Sequence, residues 1–258
     1  MSPLFNLFIV DPMINGLTLL YLVFFNQFWL AIIVFTVMVR LGTMPLTLKQ
    51  MRQMKTMTSI SPRIKEIQER YGKDRTRVSQ ETMKIYKEAG VNPLGCVGPM
   101  VIQLPIWIGL FQALRKTLPT APDSLIGLSQ RLYSWMPVHG TVPLDAGFLW
   151  LDLSEPDPSP LIMPILVGAS TWAQQKMTSM PAMDERQAST NRMMLWMMPM
   201  MLGVFTLQFP SGLALYWITS NLIGVGIQYW VTGWGPLLKG TPTANVTLPT
   251  GADAPDPE

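Results

Sequence analysis

Residues 28–48, "FWLAIIVFTVMVRLGTMPLTL", decide how the rest of the chain is read. The stretch is long and apolar enough to cross a bilayer as a helix, which takes about 20 residues. Yet Arg40 lies inside it, and no acidic residue accompanies it there. An arginine at the centre of a span costs about 2.5–3.5 kcal/mol on insertion scales. Each strongly apolar neighbour returns about 0.3–0.6 kcal/mol, so roughly ten of them outweigh the charge. The span therefore inserts with its arginine. Arg40 stands about eight residues before the end of the stretch, about 12 Å along a helix. Two readings follow. Either the side chain snorkels part of the way to water, or it faces a water-filled cavity, as charges within membranes usually do.

Composition agrees with a membrane protein. Of the 258 residues, 48% are hydrophobic and only 14% charged, against about 25% charged in soluble domains. Four further stretches are apolar enough to span, at 94–114, 161–177, 193–209 and 213–231. The last two are separated by "PSG" (residues 210–212), which predicts a tight turn between antiparallel neighbours. Ahead of the first span, residues 12–25 are apolar but interrupted by Asn15, Gly16 and Thr18, the pattern of a helix lying in the interface. The opening residues lack the basic region of a signal peptide. The sequence thus predicts an all-α, polytopic membrane protein with five transmembrane helices, a cytoplasmic helical hairpin and an N-terminal interfacial helix.

Charge sets the orientation. Residues 49–91 hold 11 basic side chains against five acidic ones, whereas residues 117–160 hold Arg131 against five acids. Basic loops stay in the cytoplasm, so the first loop lies inside, the second outside, the N-terminus outside and the C-terminus inside. The predicted division is an extracytoplasmic N-terminus with the interfacial helix (1–27), the first span (28–48), the hairpin (49–91), the second span (92–116), an extracytoplasmic loop (117–160), the third to fifth spans (161–231) and a disordered cytoplasmic tail (232–258). In the hairpin, Ile60, Ile64, Ile67 and Tyr71 fall on one helical face. Ser61 before Pro62 reads as a cap at which the helix can restart or bend. Gly72 ends this helix. Asp74 caps a second one, whose less polar stripe is Val78, Thr82, Ile85 and Ala89.

His139 and Cys96 are the single histidine and the single cysteine. This removes histidine-based metal sites and the usual Ser-His or Cys-His catalytic pairs. No P-loop spacing occurs either, so no catalytic residue, metal or cofactor is assigned. The informative polar residues are those in the spans. Thr36 stands one turn before Arg40, and Gln103 lies midway along the second span. In the fifth, Trp217, Ser220, Asn221, Gly224 and Gln228 form a weakly polar, small-residue stripe. Taken singly, Gln103 and Asn221 read as helix–helix hydrogen bonds; taken with Arg40, the set reads as a groove. Met is abundant, with 20 residues. Met51, Met54 and Met57 open the hairpin and "MMLWMMPMM" (193–201) opens the fourth span. Such methionines serve either as packing filler or as an adaptable apolar surface.

Together "IIVFTVMVRLGTMPLTLKQMRQMKTM" (32–57), "SPRIKEIQERYG" (61–72), "VNPLGCVGPMVIQLPIWIGLFQAL" (91–114) and "PSGLALYWITSNLIG" (210–224) resemble the YidC family of membrane protein insertases. The likeness runs from about Pro12 to Trp230 and fits the short five-span form. It implies an insertase in the bacterial plasma membrane that moves transmembrane segments from the cytoplasm into the lipid. The family's groove arginine falls on Arg40, its substrate-contacting threonine on Thr36, and its aromatic pair opening the last span on Tyr216 and Trp217. The resemblance implies that the hairpin receives substrate, with Met51, Met54, Met57, Arg63 and Lys65 as candidate contacts for substrate or ribosome. The partners it implies are nascent membrane proteins and the bilayer, with the ribosome and the Sec translocon as further candidates and no specific nucleic-acid recognition. A lysine-rich tail is missing, so ribosome contact would rest on the hairpin and the 176–192 loop. The "NPLGCV" run carries Cys96 one place early, and that cysteine is given no role. A small transporter or channel, or an assembly chaperone without insertase activity, is the alternative.

Overall fold

Backbone self-sufficiency dictates the architecture, because lipid cannot satisfy exposed N–H and C=O groups and helices satisfy their own. The structure is a computed structural model and describes residues 3–72, 74–90, 98–118, 127–128, 130–135, 144–159, 161–179, 185–234 and 237. The "NPLGCV" run with Cys96, the region of His139 and the tail from 238 lie outside the described residues. The elements are α1 (Pro3–Val23, with a π-turn segment at Asn6–Val10), α2 (Phe28–Tyr71), α3 (Arg75–Glu88) and α4 (Gly98–Thr117). A two-stranded antiparallel hairpin follows, β1 (Gly147–Phe148) and β2 (Leu151–Asp152). Then come α5 (Ile162–Thr178), α6 (Glu185–Phe205) and α7 (Ser211–Thr232).

Three features differ from the sequence reading. The first is α2, which runs unbroken through Pro45 and Pro62. The division at residues 48 and 49 falls inside it, and the helix does not restart at Ser61. Proline removes one backbone hydrogen bond but does not end a helix whose flanks are held elsewhere. Here Ile60, Ser61 and Ile64 are all buried, on the face that meets α3. The predicted stripes are otherwise in place, Gly72 follows the end of α2, and the Asp74 carboxylate caps α3 by accepting from Arg77 N–H at 3.1 Å.

The second difference concerns α6, which begins at Glu185 and ends at Phe205, ahead of the expected turn. It packs on α5 rather than along α7, so α5 lies between the two. Glycines explain this. A Cβ on Gly203 would come within 2.7 Å of the Pro164 carbonyl oxygen, and one on Gly224 within 2.5 Å of the Gln174 side chain. One small residue on each flank thus lets α5 receive both neighbours at close range.

The third is α1, which starts nine residues earlier than expected and is long and apolar enough to cross a membrane by length and composition. Its interruptions have structural work. Asn15 donates to the Arg131 carbonyl at 2.9 Å and accepts from Tyr133 N–H at 2.8 Å. Asp11 pairs with Arg131 at 2.8 Å, and the Tyr21 hydroxyl accepts from Asp145 N–H at 3.1 Å. Gly16 lies beside Phe35 of α2, and Thr18 bonds back to the Ile14 carbonyl at 2.8 Å.

The main core sits where α1, the start of α2, the end of α4 and the start of α7 meet, with Ile14, Leu17, Phe28, Ile32, Leu110, Leu114, Leu213 and Tyr216 at its centre. Residues after β2 seal this end: Ser211 N–H donates to the Glu155 carbonyl at 2.8 Å and Gly212 N–H to that of Leu153 at 3.0 Å. Replacing Gly203 by alanine is expected to force α5 and α6 apart and cost about 1–3 kcal/mol. Gly226→Ala, with nothing within 4 Å, is expected to leave stability unchanged or slightly raised. Thermal unfolding of the two variants in detergent micelles checks the difference.

Candidate functional site

Burial along α2 changes abruptly. Phe28, Ala31, Ile32 and Thr36 are buried, and the next buried residue is Met51. Between them Val37, Met38 and Leu41 are exposed, Leu41 at 61%. The same change occurs on α4, where Leu110, Ala113 and Leu114 are buried but Gln103 and Leu104 are exposed. The helices are therefore closed at one end and open at the other. Arg40 stands one turn beyond Thr36, at the boundary.

The Arg40 Nε–H donates to the Ser220 hydroxyl at 2.9 Å, linking α2 to α7. Ser220 is 3% exposed. Among the described residues neither Nη of Arg40 has a hydrogen-bond partner, and neither is a buried atom left unpaired. Both therefore keep some exposure at the surface of a half-buried side chain. The one ion pair among the described residues is Asp11–Arg131, so no carboxylate there neutralises Arg40. Tyr216, one turn before Ser220 on α7, accepts from Gln103 Nε2 at 2.9 Å, which ties α4 to α7.

The other residues singled out in the sequence fall into distinct places. Thr36 is fully buried, with its hydroxyl donating to the Ile32 carbonyl at 2.7 Å. It forms the closing layer behind Arg40. Trp217 stacks on Trp107 with centroids 5.8 Å apart, and Phe209 meets Trp107 and Phe111 edge-on. Asn221 turns away from Arg40 and towards α5, donating to Thr171 Oγ1 at 2.9 Å and to Ser170 Oγ at 3.2 Å. In the hairpin Met51 is buried, Met54, Met57 and Lys65 are half-buried, and Arg63 is exposed. The structure thus gathers Arg40, Ser220, Tyr216 and Gln103, and leaves Asn221 to a separate helix–helix contact. Ser170 and Thr171 were not foreseen. Two adjacent hydroxyls in "GASTW" (168–172) were the available signal, since a polar pair within a span needs a partner on another helix. No group of three or more His, Cys, Asp or Glu is placed to hold a metal among the described residues.

A model of the 60Kd inner membrane protein family matches residues 19–235. The chain belongs to that family. Its relatives include the membrane protein insertase YidC of Fusobacterium nucleatum, 35% identical over 206 residues, 80% of this chain and 86% of the relative. The membrane protein insertase MisCA of Bacillus subtilis is 33% identical over 239 residues, 91% of this chain and 81% of the relative. The YidC of Syntrophus aciditrophicus is 37% identical over 221 residues, 85% of this chain but 35% of that longer protein. The residues matched by the 60Kd inner membrane protein family contain Arg40, Ser220, Gln103, Tyr216 and the whole of α2 to α7.

The Asn221 contact is expected to be an independent stabilising pair. A double-mutant cycle of Asn221→Ala with Thr171→Val, read by unfolding in detergent, is expected to give a coupling energy of about 0.5–1.5 kcal/mol.

Proposed function

We propose that the chain is a membrane protein insertase that moves transmembrane segments of newly made proteins from the cytoplasm into the bilayer along an open groove beside Arg40. The observation that carries this reading is an arginine with two open Nη groups at the boundary between the closed and open ends of the helices. Membership of the 60Kd inner membrane protein family, with relatives named as insertases, supports it.

In this reading α2 (through residue 48), α4, α5, α6 and α7 are the five spans, and the rest of α2 with α3 is the cytoplasmic hairpin. The N-terminus is outside and the C-terminus in the cytoplasm of a bacterial plasma membrane. The polar contacts of α1 support its place in the interface. Asp11, Asn15 and Tyr21 all touch the loop at Arg131, Tyr133 and Asp145, over about 15 Å of helix. A loop with polar backbone stays out of the hydrocarbon, so a helix that follows it for that distance lies along the membrane surface. The start of the chain and the described part of the following loop share one end in these contacts, which supports the sidedness read from the charge distribution.

Insertion then proceeds without a covalent step. The hairpin meets the nascent segment, its exposed Arg63 offering charge and its half-buried Met54 and Met57 adaptable apolar surface. A short acidic tail enters the open end and meets Arg40. Two unit charges 4 Å apart attract by about 4 kcal/mol at an effective dielectric near 20. Desolvating the pair offsets part of this, so the tail is held briefly and released. The apolar segment leaves sideways into lipid, and its own transfer drives the exit.

Arg40→Ala in reconstituted liposomes is expected to slow insertion of a single-span substrate with an acidic tail by at least about tenfold, the rate equivalent of roughly 1.4 kcal/mol. Protease protection of the tail measures it. Unchanged insertion would remove the charge from the mechanism, and ion flux through the purified protein without substrate would favour a channel instead.

A further inference from the structure

Arg40 could hold its depth in two ways: through an acidic neighbour, which would cancel its charge, or through a neutral one, which would not. The structure contains the second. The Ser220 hydroxyl, one of the least exposed polar groups of α7, accepts from Nε at 2.9 Å. Nε is the donor on the stem side of the guanidinium, and the two Nη groups form its outer fork. Engaging Nε therefore fixes the plane of the group while leaving the fork free, and the fork is the part whose geometry matches a carboxylate in two parallel hydrogen bonds. Among the described residues nothing else contends for either side of this arrangement. The Thr36 hydroxyl is committed to the Ile32 carbonyl and Asn221 to α5. Ser220 itself is too enclosed to meet a substrate.

We propose that Ser220 is a positioning residue: by anchoring Nε it keeps the Arg40 charge at the closed end of the groove with both Nη groups turned to an incoming carboxylate. This rests on Arg40 being the charge that substrate meets. Without the anchor, a side chain with four rotatable bonds snorkels towards the cytoplasmic water. The charge then remains in the protein but leaves the depth at which it shortens the passage of an acidic tail.

The experiment compares full-length wild type, Arg40→Ala, Ser220→Ala and Ser220→Thr in liposomes. Each is tested with two single-span substrates that differ only in an acidic or a neutral tail. The readout is the ratio of acidic-tail to neutral-tail insertion. A second readout, 15N NMR in detergent, follows hydrogen exchange at the Arg40 Nε–H. Ser220→Ala is expected to lower the ratio by about tenfold, the loss of one hydrogen bond to a charged group, and to make the Nε–H exchange faster. Ser220→Thr, which keeps the hydroxyl, is expected to retain both the ratio and the slow exchange. If Arg40→Ala lowers the ratio but Ser220→Ala does not, or if Ser220→Ala slows both substrates equally, the positioning role is overturned while the role of Arg40 stands. If Arg40→Ala leaves the ratio unchanged, the underlying reading fails, and the positioning role with it.

Discussion

A bilayer offers polar groups no partners, and the arrangement of the spans follows from that one constraint. Hydroxyls in the helices are spent on their own backbones: Thr36 on Ile32, Thr43 on Val39, Thr47 on Thr43, Thr117 on Ala113 and Thr178 on Gln174. Amides are spent between helices, Asn221 on Ser170 and Thr171, and Gln103 on Tyr216. Buried atoms of Trp107, Trp172, Gln174 and Gln175 lack partners among the described residues, but they are neutral and enclosed. The Arg40 fork differs from all of these in being charged and open. That difference is the feature on which the proposed function rests.

Close packing supplies the second half of the design. Because lipid tails are as apolar as leucine, span association depends on contact and hydrogen bonding rather than on burial from water. Gly203 and Gly224 bring α6 and α7 onto opposite flanks of α5, and Asn221 adds polar contacts on the α7 side. The outer face of α6, with Met197, Met200, Met201 and Val204, is left exposed. On the other side, Gly109 has Ile9 and Met13 of α1 directly against it, and the residue after β2 meets the start of α7. Apolar packing is thereby concentrated at the closed end, where α1, α2, α4 and α7 meet.

Much of this was legible in the sequence, for identifiable reasons. Apolar length placed α5 and α7 to within one or two residues, because transfer into lipid depends mainly on composition. Periodicity placed Ile60, Ile64, Ile67 and Tyr71, and Val78, Thr82, Ile85 and Ala89, on the less exposed faces of their helices. Asp74 capped α3 as its position implied. What was not legible depended on other segments. Ser61 and Pro62 carry the local signature of a helix start, yet burial of Ile60 and Ile64 holds them inside a longer helix. The short link before α7 suggested that α6 and α7 pack together, but the glycine contacts that move α6 onto α5 involve Pro164, far away in sequence. Asn221 and Ser220 are adjacent in the chain, and a turn of about 100° per residue sends one to α5 and the other to Arg40. Composition alone could not say which would face the groove.

The closure at one end also gives the groove a direction. The sealed part of α2, from Phe28 to Thr36, is about 12 Å long against a hydrocarbon thickness of about 30 Å. In the proposed orientation a tail that has reached Arg40 has therefore passed about 12 Å of open, hydratable surface, somewhat less than half of the membrane. What remains, about 18 Å of helix back to Phe28, ends in the sealed apolar layer, which suits a short tail only. A through-going pore would remove this last barrier but would also leak ions. In the proposed mechanism a half-depth groove with one retained charge lowers the barrier to a polar tail without needing a through-going path. It suits substrates whose translocated part is small, and the apolar segment behind the tail supplies the free energy for the rest.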